Sequence, residues 1–301
     1  MSKVKAVYSD AYEVDIGAHV FPTVKFRLIR ERLLKDRLIT EDDCVLAPEA
    51  SSEEILLVHT KEYLDKLDNG TLSLQEIFTL EIPYSPALVR AARYCVGGTI
   101  LAAKLALETS ACAHIGGGFH HAFADHGEGF CVLNDVACAA TFCNKKKGIE
   151  KIIIVDCDLH QGNANAHIFK KNKNIFTFSI HQENNYPVLK PPSDLDLGLA
   201  DKTDDQRYLA ALENNLPGIF AEFKPQLVFY IAGADPYEKD QLGGLALSIA
   251  GLEKRDEYVL SLARESGACC CVVFGGGYAQ DIEDTVLIQY NTIKKAIEIF
   301  N

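Results

Sequence analysis

The sequence predicts a single α/β domain, a mostly parallel central sheet flanked by helices and spanning residues 1–301. Three observations carry that prediction. Short apolar runs of strand length alternate with longer segments of helical spacing, glycine-rich or polar turns follow several of the runs, and no repeat or low-complexity linker divides the chain.

The strand runs are Val4–Tyr8, Ala111–Ile115, Lys151–Asp156, Ile175–Ile180, Gln226–Ala232 and Cys269–Phe274. They are apolar on both faces, as buried parallel strands are. Among the helical segments, Val24–Leu38 sets Phe26, Ile29 and Leu33 on one side. Ser51 or Ser52 is expected to cap a helix that opens with Glu53-Glu54 and runs through Ile55–Leu67. Ser85–Leu107 is long, with Gly97-Gly98 inside it as a point of close packing. Lys145-Lys146-Lys147 before Gly148 reads as the dipole-complementing end of another helix. Thr203–Phe223, Leu252–Glu265 and Asp281–Ile299 complete the set, with Pro217 an expected kink or break.

Composition narrows the function. Hydrophobic residues make up 48% of the chain and the mean hydropathy is +0.00, values ordinary for a globular enzyme. A formal charge of −12 argues against direct, sequence-independent nucleic-acid binding, which needs a basic face. It is compatible with a basic protein substrate. The ten cysteines include no C-x-x-C pair, which argues against a structural zinc knuckle. Cys269-Cys270-Cys271 read as small buried hydrophobes in a reducing compartment. Met1–Lys5 lacks the apolar stretch of a signal peptide, and no run has the length of a membrane span. The expected location is cytoplasmic, or cytosol and nucleus in a eukaryote, and the compact length implies no long regulatory tail.

In open α/β sheets, ligands bind at the carboxyl ends of the strands. The chemically capable residues gather at four such ends. Ala111–Ile115 leads into Gly116-Gly117-Gly118-Phe119-His120-His121, and Lys151–Val155 leads into Asp156-Cys157-Asp158-Leu159-His160. Gln226–Ala232 leads into Gly233-Ala234-Asp235, and Cys269–Phe274 into Gly275-Gly276-Gly277-Tyr278. Seven of the nine histidines lie between His114 and His181.

If the strand stays extended, Asp156, Asp158 and His160 point to one side. Clustered carboxylates beside an imidazole are costly unless a cation compensates them. Asp158, His160 and Asp235 make a three-ligand set with an open position, the pattern of a catalytic rather than a structural zinc. Two carboxylates also suit Fe(II), Co(II) or Mn(II). The pair His120-His121, after a triple-glycine turn, suits acid–base work, and Tyr278 after the second such turn suits donation to a developing oxyanion.

Four stretches, GGGFHHAFADHGEGFCVLND, VDCDLHQGN, AGADPYEKDQLGGLALS and FGGGY, are similar to the zinc-dependent histone deacetylase family, in particular its bacterial and class IV branch. The likeness runs from His19-Val20-Phe21-Pro22 over nearly the whole chain. It implies the arginase/deacetylase-like fold, with zinc on Asp158, His160 and Asp235 and Tyr278 polarising the acyl carbonyl. His120 and His121 would be the tandem catalytic histidines, Asp156 the partner of His120 and Asn163 the partner of His121. Some branches carry Asp at that second position. Since an amide favours imidazolium much less than a carboxylate does, His121 is expected to stay neutral as the main base, with His120 more often charged.

The resemblance further implies a potassium ion near Asp156, Ser179 and Ile180, and a substrate tunnel with Gly129, Phe130, Tyr186 and Gly276 in its wall. Lys25 is left between the inner end of the site and a solvated helix face. His19, His59, His114, His126, His167 and His181 are taken as structural or surface residues. Two departures stand out, Ala164 where glycine is frequent and Gln161 where histidine is frequent. Neither removes a catalytic group.

The implied activity is hydrolysis of the ε-amide of an acyl-lysine, acetyl by default and a longer fatty acyl group as an option. The alternatives are an amidohydrolase of acetylated polyamines or other small N-acyl amines, a silent acyl-lysine binding module, and a manganese ureohydrolase. The sequence leaves oligomeric state and partner proteins unassigned.

Overall fold

All six apolar runs become strands of one sheet, and two short strands join them at its edges. In the computed structural model, which describes residues 4–301, the strands are β1 (Lys5–Tyr8), β2 (Cys44–Leu46), β3 (Ala111–His114), β4 (Ile152–Asp156), β5 (Ile175–Gln182), β6 (Leu195–Leu199), β7 (Leu227–Ile231) and β8 (Cys269–Val273). The reading of Met1, Ser2 and Lys3 lies outside the described residues. The order across the sheet is β2-β1-β3-β8-β7-β4-β5-β6, and every pairing is parallel. β3, β4 and β7 are buried along their whole length, as parallel strands covered on both faces must be. Fully burying each Ile or Val of β4 contributes about 2 kcal/mol.

The helices are α1 (Lys25–Lys35), α2 (Ser52–Ile55), α3 (Lys61–Asn69), α4 (Leu74–Leu80), α5 (Pro86–Thr109), α6 (Asp135–Lys147), α7 (Asn163–Phe169), α8 (Asp205–Phe223), α9 (Ile249–Glu265) and α10 (Ile282–Phe300). Helix α5 packs on β3 and β8, with α6 beside it, and α10 packs on α1 and α9. A Cβ on Gly97 of α5 would sit 2.0 Å from the carbonyl oxygen of Pro48, so this helix can approach the neighbouring chain only with glycine there.

The single helix expected from Glu53 to Leu67 is a correction. The chain forms α2 and α3, because a second cap intervenes: the Thr60 side chain accepts from the Tyr63 amide, as Ser51 does from Glu54. Helix α8 runs through Pro217 without interruption in its assigned span. The lysine-rich end of α6 stops at Gly148, whose φ of 71° is the left-handed cap. None of the ten cysteines is paired. Among the described residues, no helix is long and apolar enough to cross a membrane.

Candidate active site

Because the sheet is parallel, β3, β4, β7 and β8 all end at one rim, and the predicted residues meet there. The two triple-glycine turns run side by side, with the Phe274 amide donating to Gly116 O at 3.2 Å and the Gly275 amide to Gly117 O at 3.1 Å. Gly118, at φ 86°, faces its counterpart so closely that a Cβ would lie 2.3 Å from Gly275 N. Glycine is required on steric grounds at that crossing.

The chain leaves the extended conformation after Asp156, which corrects the expectation that Asp156, Asp158 and His160 point one way. Asp158, His160 and Asp235 converge instead, their ligand atoms within 4.8 Å of one another. His160 Nδ1 lies 3.2 Å from both Asp158 Oδ1 and Asp235 Oδ2. Backbone amides orient the carboxylates: Gly276 N donates to Asp158 Oδ2 at 2.6 Å, and Leu159 N donates to Asp235 Oδ1 at 3.0 Å. A Cβ on Gly276 would lie 2.1 Å from Asp235 Oδ2, so no side chain fits beside the cluster there.

These residues fit a divalent cation. Asp235 Oδ2 is buried and receives no well-aligned hydrogen bond; it faces the His160 ring nitrogen at 3.2 Å, a costly state for a charged oxygen unless a cation compensates it. His160 is held at about 10: burial opposes its charge, but Asp158 and Asp235 outweigh it. A proton thus resides where a cation with one nitrogen and two carboxylate ligands would bind. Among the described residues, this is the one cluster of metal-ligand type.

Asp156 turns to the histidine pair. His120 Nδ1 donates to Asp156 Oδ2 at 2.7 Å, and His121 Nδ1 donates to Asn163 Oδ1 at 2.7 Å. The Asn163 amide is oriented by two further bonds. Its Nδ2 donates to Glu128 Oε1 at 2.8 Å, and its Oδ1 accepts from Ala164 N at 3.0 Å. The carbonyl oxygen therefore faces His121, so Nδ1 carries the proton and the neutral ring keeps its lone pair on Nε2. Burial lowers His120, but the Asp156 and Asp158 carboxylates reverse this and hold it at about 9. Burial and the nearby His120 and His160 push His121 well below its usual value.

A cavity of about 310 Å³ opens onto the cluster, with His120, His121, Asp158, His160 and Tyr278 at its inner end. Gly129, Phe130, Tyr186 and Gly276 all lie in its wall. Phe130, at φ 68°, donates its amide to Leu80 O at 2.9 Å, so the end of α4 fixes the wall. Tyr186 donates to Glu128 Oε1 at 2.8 Å and sets its ring edge-on to His121, with centroids 5.0 Å apart. Burial, and then Asp235 and Asp158, raise Tyr278 well above the usual phenol value, so its hydroxyl stays protonated. The Tyr278 backbone is anchored by its amide on Asp240 Oδ2 at 2.7 Å.

Lys25 is buried, not solvated. It donates to Gly275 O at 3.3 Å and lies 5.9 Å from the Tyr278 ring centre; burial lowers it to about 8 although Asp235, Asp158 and Asp240 oppose that shift. Ser179 stands opposite Asp156 in register, and its hydroxyl pairs with His181 Nδ1 at 2.9 Å. Ile180, next to it, is buried in the core. Both Asp156 oxygens accept hydrogen bonds, Oδ2 from His120 Nδ1 and Oδ1 from the Asp158 amide.

His19 is nearer the site than expected: its ring meets Phe130 at 4.8 Å and its Nε2 lies 2.9 Å from Glu81 O. Sequence reasoning did not single out Glu128 or Asp240. Each sits inside a motif stretch already noted, which is the signal that was there to use.

The Histone deacetylase domain family matches residues 19–291 of the chain. The chain is 42% identical over 282 residues to an uncharacterized protein of Picosynechococcus sp. (strain PCC 7002), covering 93% of this chain and 94% of that one. It is 31% identical to Histone deacetylase 2 of Arabidopsis thaliana over 291 residues, covering 92% and 75% of the two chains. Among solved structures, the HD domain of HDA15 superposes with a TM-score of 0.82 at 23% identity, covering 99% of this chain and 88% of that one; it shares the fold.

Proposed function

The chain belongs to the histone deacetylase family, whose activity is deacetylase-type hydrolysis, and from that premise we propose that it is a zinc-dependent deacylase of acyl-lysine side chains. One observation carries the reading: a tunnel about 310 Å³ in volume ends on the Asp158–His160–Asp235 cluster, with the histidine pair and Tyr278 beside it.

Asp158, His160 and Asp235 would hold the ion. When bound, it supplies Lewis-acid polarisation of the acyl carbonyl and acidifies water. His121 offers its Nε2 lone pair to the proton of the attacking water, since Nδ1 is committed to Asn163. Tyr278 keeps its hydroxyl proton and donates it as a hydrogen bond to the carbonyl oxygen as charge develops. His120, held charged by Asp156, stabilises that same build-up. The protonated His121 then passes its proton to the departing amine. Phe130 and Tyr186 flank the aliphatic part of the substrate and exclude water from it.

Acetyl is the favoured acyl group. An apolar void of about 30 Å³ lies behind the wall and shares Phe21, Phe119 and Phe130 with the tunnel. It has room for about one water molecule, so a long chain enters only if those rings move. A small acetylated polyamine is the second reading, favoured by Glu81 at the tunnel mouth, where it would meet a second positive charge.

The deciding experiment is hydrolysis by zinc-loaded protein of acetyl-, octanoyl- and myristoyl-lysine peptides beside acetylated polyamines, read by mass spectrometry. The expected result is turnover of the acetyl-lysine peptide that Y278F and D235A both suppress. Preference for another panel member reassigns the substrate. No turnover by protein that has taken up zinc removes the enzymatic reading.

A further inference from the structure

Helix α9 contributes no residue to the tunnel wall, yet it carries the most deeply buried charged pair in the core. Arg255 and Asp256 are each 0% exposed, on the stripe of α9 that also buries Leu252, Val259 and Leu260. A buried ion pair is a poor stabiliser compared with apolar residues of the same volume, because desolvation offsets most of the attraction. What it provides here is direction.

Asp256 holds one edge of the guanidinium, with its Oδ1 2.9 Å from Arg255 Nε and 2.8 Å from Nη2. It is itself held by hydrogen bonds from the Tyr230 and Thr292 hydroxyls. The other edge reaches two different loops. Arg255 Nη1 donates to Gly233 O at 2.6 Å and to Cys157 O at 3.2 Å. Cys157 O belongs to the peptide unit that ends in the Asp158 nitrogen, and Gly233 lies two residues before Asp235. One nitrogen thus bridges the loop after β4 and the loop after β7, each bearing one carboxylate of the cluster.

We propose that Arg255 is a positioning residue for the metal site, setting the separation at which Asp158 and Asp235 share one cation. The inference rests on the reading of Asp158, His160 and Asp235 as a divalent-ion site. Asp158 and Asp235 stand on separate loops, and in the ion-free site the His160 ring, 3.2 Å from both, is what bridges them from the cavity side. A planar fork fixed at one edge by Asp256 resists their spreading, and a lysine ammonium cannot reproduce that geometry.

The test compares three variants. R255K keeps the charge without the fork, and R255M/D256L removes the buried pair as a unit, the change that buried-pair energetics tolerate best. T292V takes a donor from Asp256 and leaves both carbonyl bonds intact. Zinc is titrated against a chromophoric chelator, cobalt is substituted to read its d–d spectrum, and thermal unfolding is followed in parallel. Both Arg255 variants are expected to bind zinc about 10–100-fold more weakly, the usual cost of losing an outer-shell partner, with an altered cobalt spectrum. T292V is expected to lower Tm and bind zinc as wild type does. Arg255 variants that bind zinc as tightly as wild type, or a T292V variant that loses as much zinc affinity as they do for a similar fall in Tm, overturn the inference. Should R255K not fold, the double variant carries the same comparison. No zinc uptake by wild type overturns the metal reading and this inference with it.

Discussion

The floor of the tunnel and its mouth are built by opposite means. The floor consists of groups fixed by strand ends: Asp158, Asp235 and His120 are 1%, 0% and 3% exposed, and backbone amides or neighbouring carboxylates hold each of them. The mouth is formed by connecting segments. Glu81, which follows helix α4, and Asn185 and Tyr186 line it there, and the same two segments expose Leu74, Phe78, Val188 and Leu189 at 87%, 78%, 93% and 82% beyond the lining. A rigid floor serves preorganised chemistry, which gains nothing from motion. Side chains that exposed contribute little to folding, so substitutions among them test whether these segments meet a substrate.

The largest effects therefore belong to the floor. D235A is expected to abolish zinc uptake and lower kcat/KM by more than about a thousandfold, with bound metal assayed beside activity. Y278F should lower kcat by roughly 100–1,000-fold with little change in KM, because its donation strengthens only as charge develops.

The histidine pair gives a smaller and more discriminating effect. H121A should lower kcat by about 100–10,000-fold and remove the limb of the pH–rate profile that reports the base, while H120A lowers the plateau and keeps the limb. E128A should cost roughly tenfold, because the Asn163 amide loses the acceptor that orients it. The opposite assignment of limbs to the two histidines would reverse their roles.

The zinc reading predicts a pH dependence of its own. His160 is held protonated up to about 10 in the ion-free site, so binding must release that proton. Affinity should rise by about tenfold per pH unit toward 10 and fall with acidification, as a competition titration at several pH values would reveal. The mouth comes last. F78S or V188S/L189S should leave Tm within about 1–2 °C, yet shift KM several-fold for peptides and not for small acetylated amines. Equal shifts for both substrate classes would mean that the rim does not read a peptide.

The same division decides what was legible in the sequence. The buried strands and their strand-end motifs were readable because apolar runs and catalytic residue types are both local signals. β2 and β6 were not: Cys44-Val45-Leu46 is too short an apolar run to mark a strand, and Leu195–Leu199 is interrupted by Asp196 and Gly198. Helix α4 announced itself only through its Ser73–Glu76 capping box, too short a signal to set against a loop. Asp156 was misaimed because strand alternation was carried past the strand's end. Arg255 and Asp256 had a legible mark, two charges on an otherwise apolar helical stripe. Their partners, Cys157 and Gly233, are 98 and 22 residues away, a relation that no periodicity encodes.

The sheet order also has a consequence for how the protein is made. β8 lies between β3 and β7, so the earlier strands form two separate blocks, β2-β1-β3 and β7-β4-β5-β6, that only the last strand joins. Until Cys269–Val273 has emerged from the ribosome, both blocks present an unpaired inner edge, the kind of edge that recruits other chains. Synthesis thus passes through a long interval in which most of the chain exists and its central seam is open. A stop before β8 would leave an aggregation-prone product rather than a weakened enzyme.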